Sequence, residues 1–169
     1  MEYRQLVNKA LMLLEAGQVD QAIETIRGIK SMWWRSKAFG EVSRALIKTS
    51  QFDQAVQVLD QVVESVQEIE GAGWRAESLR EILVALMEAN QFDKAIEVAQ
   101  KIEDARERTK VLTGIAIILA EKGKINRAAQ VFAQAIKSAQ QIESKRGRAI
   151  ALSITEREMK KAGLIKSDD

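Results

Sequence analysis

The chain contains no cysteine, no histidine and no proline, and aromatic residues make up only 5% of its 169 positions. Without cysteine there is no disulfide, no thiolate nucleophile and no thiolate metal site. Without histidine the commonest general base and metal ligand is missing. The lack of proline leaves helices free of their strongest breaker. No apolar run approaches the length of a membrane span, and the opening MEYRQLVNKA lacks the basic segment, apolar stretch and cleavage site of a secretory signal. A cytoplasmic protein without a membrane partner is therefore the expectation. The net charge of +2 is too small to imply a nucleic-acid partner by itself.

What is present is repetition. A short phrase recurs four times, as GQVDQA from Gly17, SQFDQA from Ser50, NQFDKA from Asn90 and GKINRA from Gly123. Gly17, Asn90 and Gly123 tolerate the positive φ that ends a helix, with Ser50 in the same slot. Three residues later, Asp20, Asp53, Asp93 and Asn126 are expected to cap the next helix by accepting from its free amides. Ala22, Ala55, Ala95 and Ala128 then allow two helices to approach closely. Each phrase thus predicts the turn of a helical hairpin.

The caps recur at intervals of 33, 40 and 33 residues, and Arg35, Arg75, Arg108 and Arg148 at 40, 33 and 40. Short and long units alternate, so a shift of 73 residues lays one half on the other, QVVESVQEIE from Gln61 on QAIKSAQQIE from Gln134. The spacing predicts one helical repeat domain over 1–163, with duplicated halves at about 1–73 and 74–146. A capping helix is expected at about 148–162 and a frayed tail over 164–169. The four arginines, standing at unit boundaries, are expected to cap carbonyls or pair with glutamate.

Apolar residues at i, i+3, i+4 and i+7 mark the interior first helices: Phe39, Val42, Ser43 and Leu46; Leu79, Ile82, Leu83 and Leu86; Leu112, Ile115, Ala116 and Leu119. Second helices carry Ile23, Ile26 and Ile29; Val58, Leu59, Val62 and Val66; Ile96 and Ile102; Val131, Phe132, Ala135 and Ile136. Lys9 in the first helix and Thr155 and Glu156 in the last interrupt the stripe, as expected where a stack ends. Nine helices follow: four hairpins and a single C-terminal cap.

These hairpins resemble tetratricopeptide repeats (TPR) in length, in the aromatic-or-aliphatic then Asp-x-Ala turn, and in the bulky Phe39, Leu79 and Leu112 where that family often has tryptophan. The usual first-helix glycine is replaced by Ala10, Ser43, Leu83, Ala116 and Glu156, and the closing proline is missing. The resemblance implies an all-α, right-handed α-α superhelix, a TPR-like solenoid. It also implies that the first helices line a concave groove. Carried across, the groove positions are Lys37, Arg44, Ile47 and Lys48; Arg80, Val84 and Met87, beside Glu77 and Glu88; Lys110 and Ile117, with Thr113 and Glu121; and Arg157, with Lys160 and Lys161.

Apolar residues among basic neighbours suit an acidic or amphipathic peptide, though solvated surface charge would give a similar pattern. Trp33 and Trp34 form a candidate interface, one expected inside and the other exposed, available for a second contact or a homodimer. Trp74 is expected to be structural. A non-catalytic protein-binding adaptor leads this reading. The alternative is an RNA-binding repeat, weakened by acidic residues in the groove and few stacking aromatics. A carboxylate-based enzyme ranks last, because no spacing singles out a catalytic pair. No catalytic, metal or cofactor residue is indicated.

Overall fold

The computed structural model describes residues 2–48 and 52–166; among its helical residues, the side chains of Glu2, Met32, Ser36 and 52–58 are excepted. The Ser50 turn, the side chains of Asp53, Ala55 and Val58, and the last three residues of the tail lie outside the described residues. Nine helices and no strand occur among those described.

The helices fall into two compact units, Met1–Gln91 and Phe92–Asp169. The first holds α1 (Glu2–Glu15), α2 (Val19–Arg27), α3 (Met32–Lys48), α4 (Phe52–Gln67) and α5 (Ala72–Glu88). There α3 packs against α1, α2, α4 and α5. The second holds α6 (Phe92–Gln100), α7 (Ala105–Glu121), α8 (Ile125–Gln140) and α9 (Lys145–Lys161), with α7 packed against the other three.

The alternation read from the intervals is a difference in second-helix length. Helices α2 and α6 have 9 residues each, and α4 and α8 have 16. The added length is about two helical turns. All three interior stripes are buried, from Phe39 to Leu46, Leu79 to Leu86 and Leu112 to Leu119. Lys9 and Glu156 are exposed in the first and last helices.

Gly17, Asn90 and Gly123 take φ of 72°, 58° and 73°. Each closes a Schellman turn, as where Gly17 N donates to Leu14 O at 2.9 Å and Gln18 N to Leu13 O at 2.8 Å. The expected caps that follow need correction. Asp20 and Asn126 are the second residues of their helices, whose caps are Gln18 and Lys124 without side-chain capping bonds. Asp93 likewise lies inside the first turn of α6. The chain enters the helix directly after the left-handed residue: Ala22 N already donates to Gln18 O at 3.1 Å and Ala128 N to Lys124 O at 2.9 Å. Asp20 and Asp93 there act on the helix dipole through their charge.

Side-chain caps stand instead at the junctions between hairpins. Asp104 accepts from Glu107 N at 2.8 Å and Ser144 from Gly147 N at 3.1 Å. Four residues after each cap position comes the recurrent arginine, which reaches back to the carbonyl of a buried isoleucine six residues earlier. Arg35 Nε and Nη2 donate to Ile29 O at 2.9 and 2.7 Å, Arg75 Nη1 to Ile69 O at 2.7 Å, and Arg148 Nη1 to Ile142 O at 2.9 Å. Arg108 Nη1 donates to Ile102 O, and its Nε donates to Ser138 Oγ at 2.8 Å. Carbonyl capping is thus the role of all four.

Replacing Arg108 with alanine strands these acceptors, and charge-assisted bonds of this kind contribute about 1.5–3 kcal/mol. Urea unfolding of Arg108→Ala is expected to show a loss of that size. A lysine at the same place should recover only part of it, because a single ammonium cannot span the separated acceptors. A change below about 0.5 kcal/mol, the scatter of ordinary surface substitutions, would show the contact to be incidental.

Candidate functional site

The sequence places its groove on the first helices, and the two units treat that face differently. In the first unit, α3 and α5 are in close contact at Gly40, where an added Cβ would lie 2.5 Å from Glu81 Cβ. Across the contact, Lys37 Nζ donates to Glu81 Oε1 at 2.6 Å, and the bond and charge of Glu81 raise the lysine's pKa. Arg44 Nη2 lies 3.6 Å from Glu81 Oε2, and its Nε 3.8 Å from Glu88 Oε2. Arg80 pairs with Glu77 on its own helix. Ile47 and Met87 are half-buried, and Lys48 and Val84 are exposed. The cations proposed for this stretch are therefore already matched by carboxylates of α5.

In the second unit the positions 73 residues later carry other chemistry. Lys37 corresponds to Lys110, Gly40 to Thr113, Arg44 to Ile117, Glu77 to Ile150 and Glu81 to Ile154. Both carboxylates facing α3 have become isoleucines. Between α7 and α9 lies a cleft of about 860 Å³, walled by Ile117 and Gly114 on one side and Ile150 and Ile154 on the other. Ile150 and Ile154 remain 51% and 43% exposed, high for residues of this size. Gly114 adds to the opening, since a Cβ there would meet nothing within 4 Å.

Two buried hydroxyls line the cleft, Thr113 and Thr155, 3.1 Å apart. Thr155 donates to Ala151 O at 2.9 Å, so the proton in the shared bond comes from Thr113. The two helices run parallel: Arg106 Nη2 would sit 2.5 Å from a Cβ on Gly147 near their starts, and Thr113 meets Thr155 farther along. The N-terminal end of the cleft carries Arg106, Lys110 and Arg146, for which no carboxylate partner exists among the described residues. Toward the other end stands Glu158, taking Lys161 Nζ at 2.9 Å and Arg157 Nε at 3.1 Å. Those bonds, the lysine's first, hold its carboxyl below the ordinary range.

Of the sequence candidates, Lys110 and Ile117 line this cleft, and Arg157 stands beside it through Glu158. Arg106, Gly114, Arg146, Ile150 and Ile154 are additions from the structure. Their signal is in the sequence as the exchange of Glu77 and Glu81 for isoleucine between the halves, which no single-helix pattern displays.

The tryptophan expectation also needs correction, because Trp33 and Trp34 are both exposed, at 42% and 40%. They occupy the first turn of α3, whose buried stripe extends back from Phe39 to Arg35 and leaves positions 33 and 34 off its edge. The indoles pack on each other edge to face at 4.2 Å, and Trp34 stacks on Tyr3 at 4.1 Å. Tyr3 in turn donates to Glu41 Oε1 at 2.8 Å. Trp74, at the corresponding junction, is half-buried.

No helix among the described residues is long and apolar enough to cross a membrane, and no cluster of acidic side chains there could hold a metal ion. No protein-family model and no curated protein matches the chain. Among solved structures it is similar to Ton1535 from Thermococcus onnurineus NA1, at 19% identity and a TM-score of 0.43 over 94% of this chain. The chain spans 47% of that protein's length.

Burial first, then the bond to Glu41 and its charge, push the Tyr3 phenol well above its ordinary 10.0. With the folded value raised, the neutral phenol's contribution to stability is complete below the ordinary phenol range and is lost as pH rises through the raised value. Tyr3 is the single tyrosine, so phenolate absorbance reads it alone. The folded protein should ionise at distinctly higher pH than the urea-unfolded chain. Coincident titrations would contradict the contact.

Proposed function

We propose that the chain is a TPR-like helical repeat built from duplicated halves and acting as a non-catalytic protein-binding module. Its second unit receives an acidic, amphipathic segment of a partner in the cleft between α7 and α9. The observation that carries this reading is the pairing of an apolar cleft with three cations, Arg106, Lys110 and Arg146, that lack carboxylate partners among the described residues. Apolar anchors and unmatched positive charge complement such a segment in both respects. RNA is less well served, because no aromatic ring lines the cleft for base stacking. The exposed Trp33 and Trp34 supply a second contact surface, open to a partner or a second copy of the chain.

Two substitutions test the cleft by different means. Gly114→Leu fills open space and removes a mid-helix glycine, which alone contributes about 0.8–1 kcal/mol toward the helix. Capture of the partner from the native host should fall while thermal stability holds or rises. Lys110→Glu should weaken capture by about tenfold, or 1.4 kcal/mol, and Arg80→Glu should leave it unchanged. Undiminished capture by both cleft variants would overturn the reading, as would tight single-stranded RNA binding with a steep salt dependence.

A further inference from the structure

The polar groups of the cleft restrict the conformation of what enters it. Its hydroxyls are already engaged: Thr113 with Thr155, Thr155 with Ala151 O, Thr109 with Ala105 O and Ser144 with Gly147 N. No asparagine or glutamine lines it. An extended peptide laid between α7 and α9 would bury backbone amides and carbonyls without partners, at a cost a helix avoids by bonding to itself.

Charge sets a direction as well. Arg106 and Arg146 stand in the first turns of α7 and α9, with Lys110 one turn along α7. The amino ends of the two parallel helices add positive partial charge at that end. The carboxyl end of an incoming helix, with its negative partial charge, is favoured there, and so are acidic residues in its last turn.

We infer that the occupant is an amphipathic α-helix lying antiparallel to α7 and α9. Its apolar anchors, spaced i, i+3 or i+4 and i+7, meet Ile117, Ile150 and Ile154, and its acidic last turn meets Arg106, Lys110 and Arg146. The inference rests on the protein-binding reading of the cleft and adds the partner's conformation, polarity and charge placement.

Three synthetic peptides test it on the full chain, followed by isoleucine methyl NMR. The first has leucines at helical spacing and glutamates in its last turn, the second carries the same glutamates in its first turn, and the third is the first peptide with two central prolines. The first should bind at least about tenfold more tightly than either other peptide, shift the methyls of Ile117, Ile150 and Ile154, and lose binding to Ile154→Asp. That variant's helical circular dichroism should be unchanged, since Ile154 is already 43% exposed. Equal binding of the proline peptide would overturn the helical conformation, and equal binding of the second would overturn the direction. Either result leaves the protein-binding reading intact. Methyl shifts with dodecanoate and with none of the peptides would overturn both, as would no shift with any probe.

Discussion

A guanidinium bonded to a carbonyl six residues back is the contact on which the repeat depends. The last carbonyls of a helix have no partner within it, and Ile29, Ile69, Ile102 and Ile142 are all buried. Each receives a bond from the arginine that starts the following helix. That arginine's own amide donates to the cap residue's carbonyl, as Arg148 N does to Ser144 O at 2.8 Å. One residue therefore closes the preceding helix through its side chain and opens its own through its backbone. Because the contact is local, second helices of 9 and 16 residues can precede the same junction.

On this common frame the two units carry opposite chemistry at corresponding positions. In one, Gly40 and Glu81 are in close contact, and Lys37 and Arg44 share the carboxylate. Such half-exposed ion pairs contribute little to stability, but they satisfy the charges that a ligand would otherwise meet. In the other, isoleucine replaces the carboxylate, the lysine is left without one, and an apolar cleft remains open. Loss of Glu77 and Glu81 equivalents thus produces at once the hydrophobic surface and the unmatched charge.

The fold is largely legible in the sequence because its signals are local. Positive-φ turns, buried stripes and the alternation of unit lengths all follow from residues within a few positions of one another. The assignment of Asp20, Asp93 and Asn126 as caps fails because side-chain type does not distinguish a cap from the second residue of a helix. The expectation of one buried tryptophan fails because Arg35, and not an indole, occupies the end of the buried stripe. Less of the site is legible: the partners of Lys37 and Arg44 lie on another helix, and Ile150 and Ile154 stand out only when one half is compared with the other.

The most direct measurement restores the first unit's carboxylates to the second, in the double variant Ile150→Glu, Ile154→Glu, and compares its capture of the native partner with that of the unaltered chain. The carboxylate introduced at position 154 would then stand opposite Lys110 as Glu81 stands opposite Lys37. The account predicts that capture is lost while the helical signal and the unfolding transition are retained. Full capture by this variant would contradict the claim that the α7–α9 cleft is the binding surface.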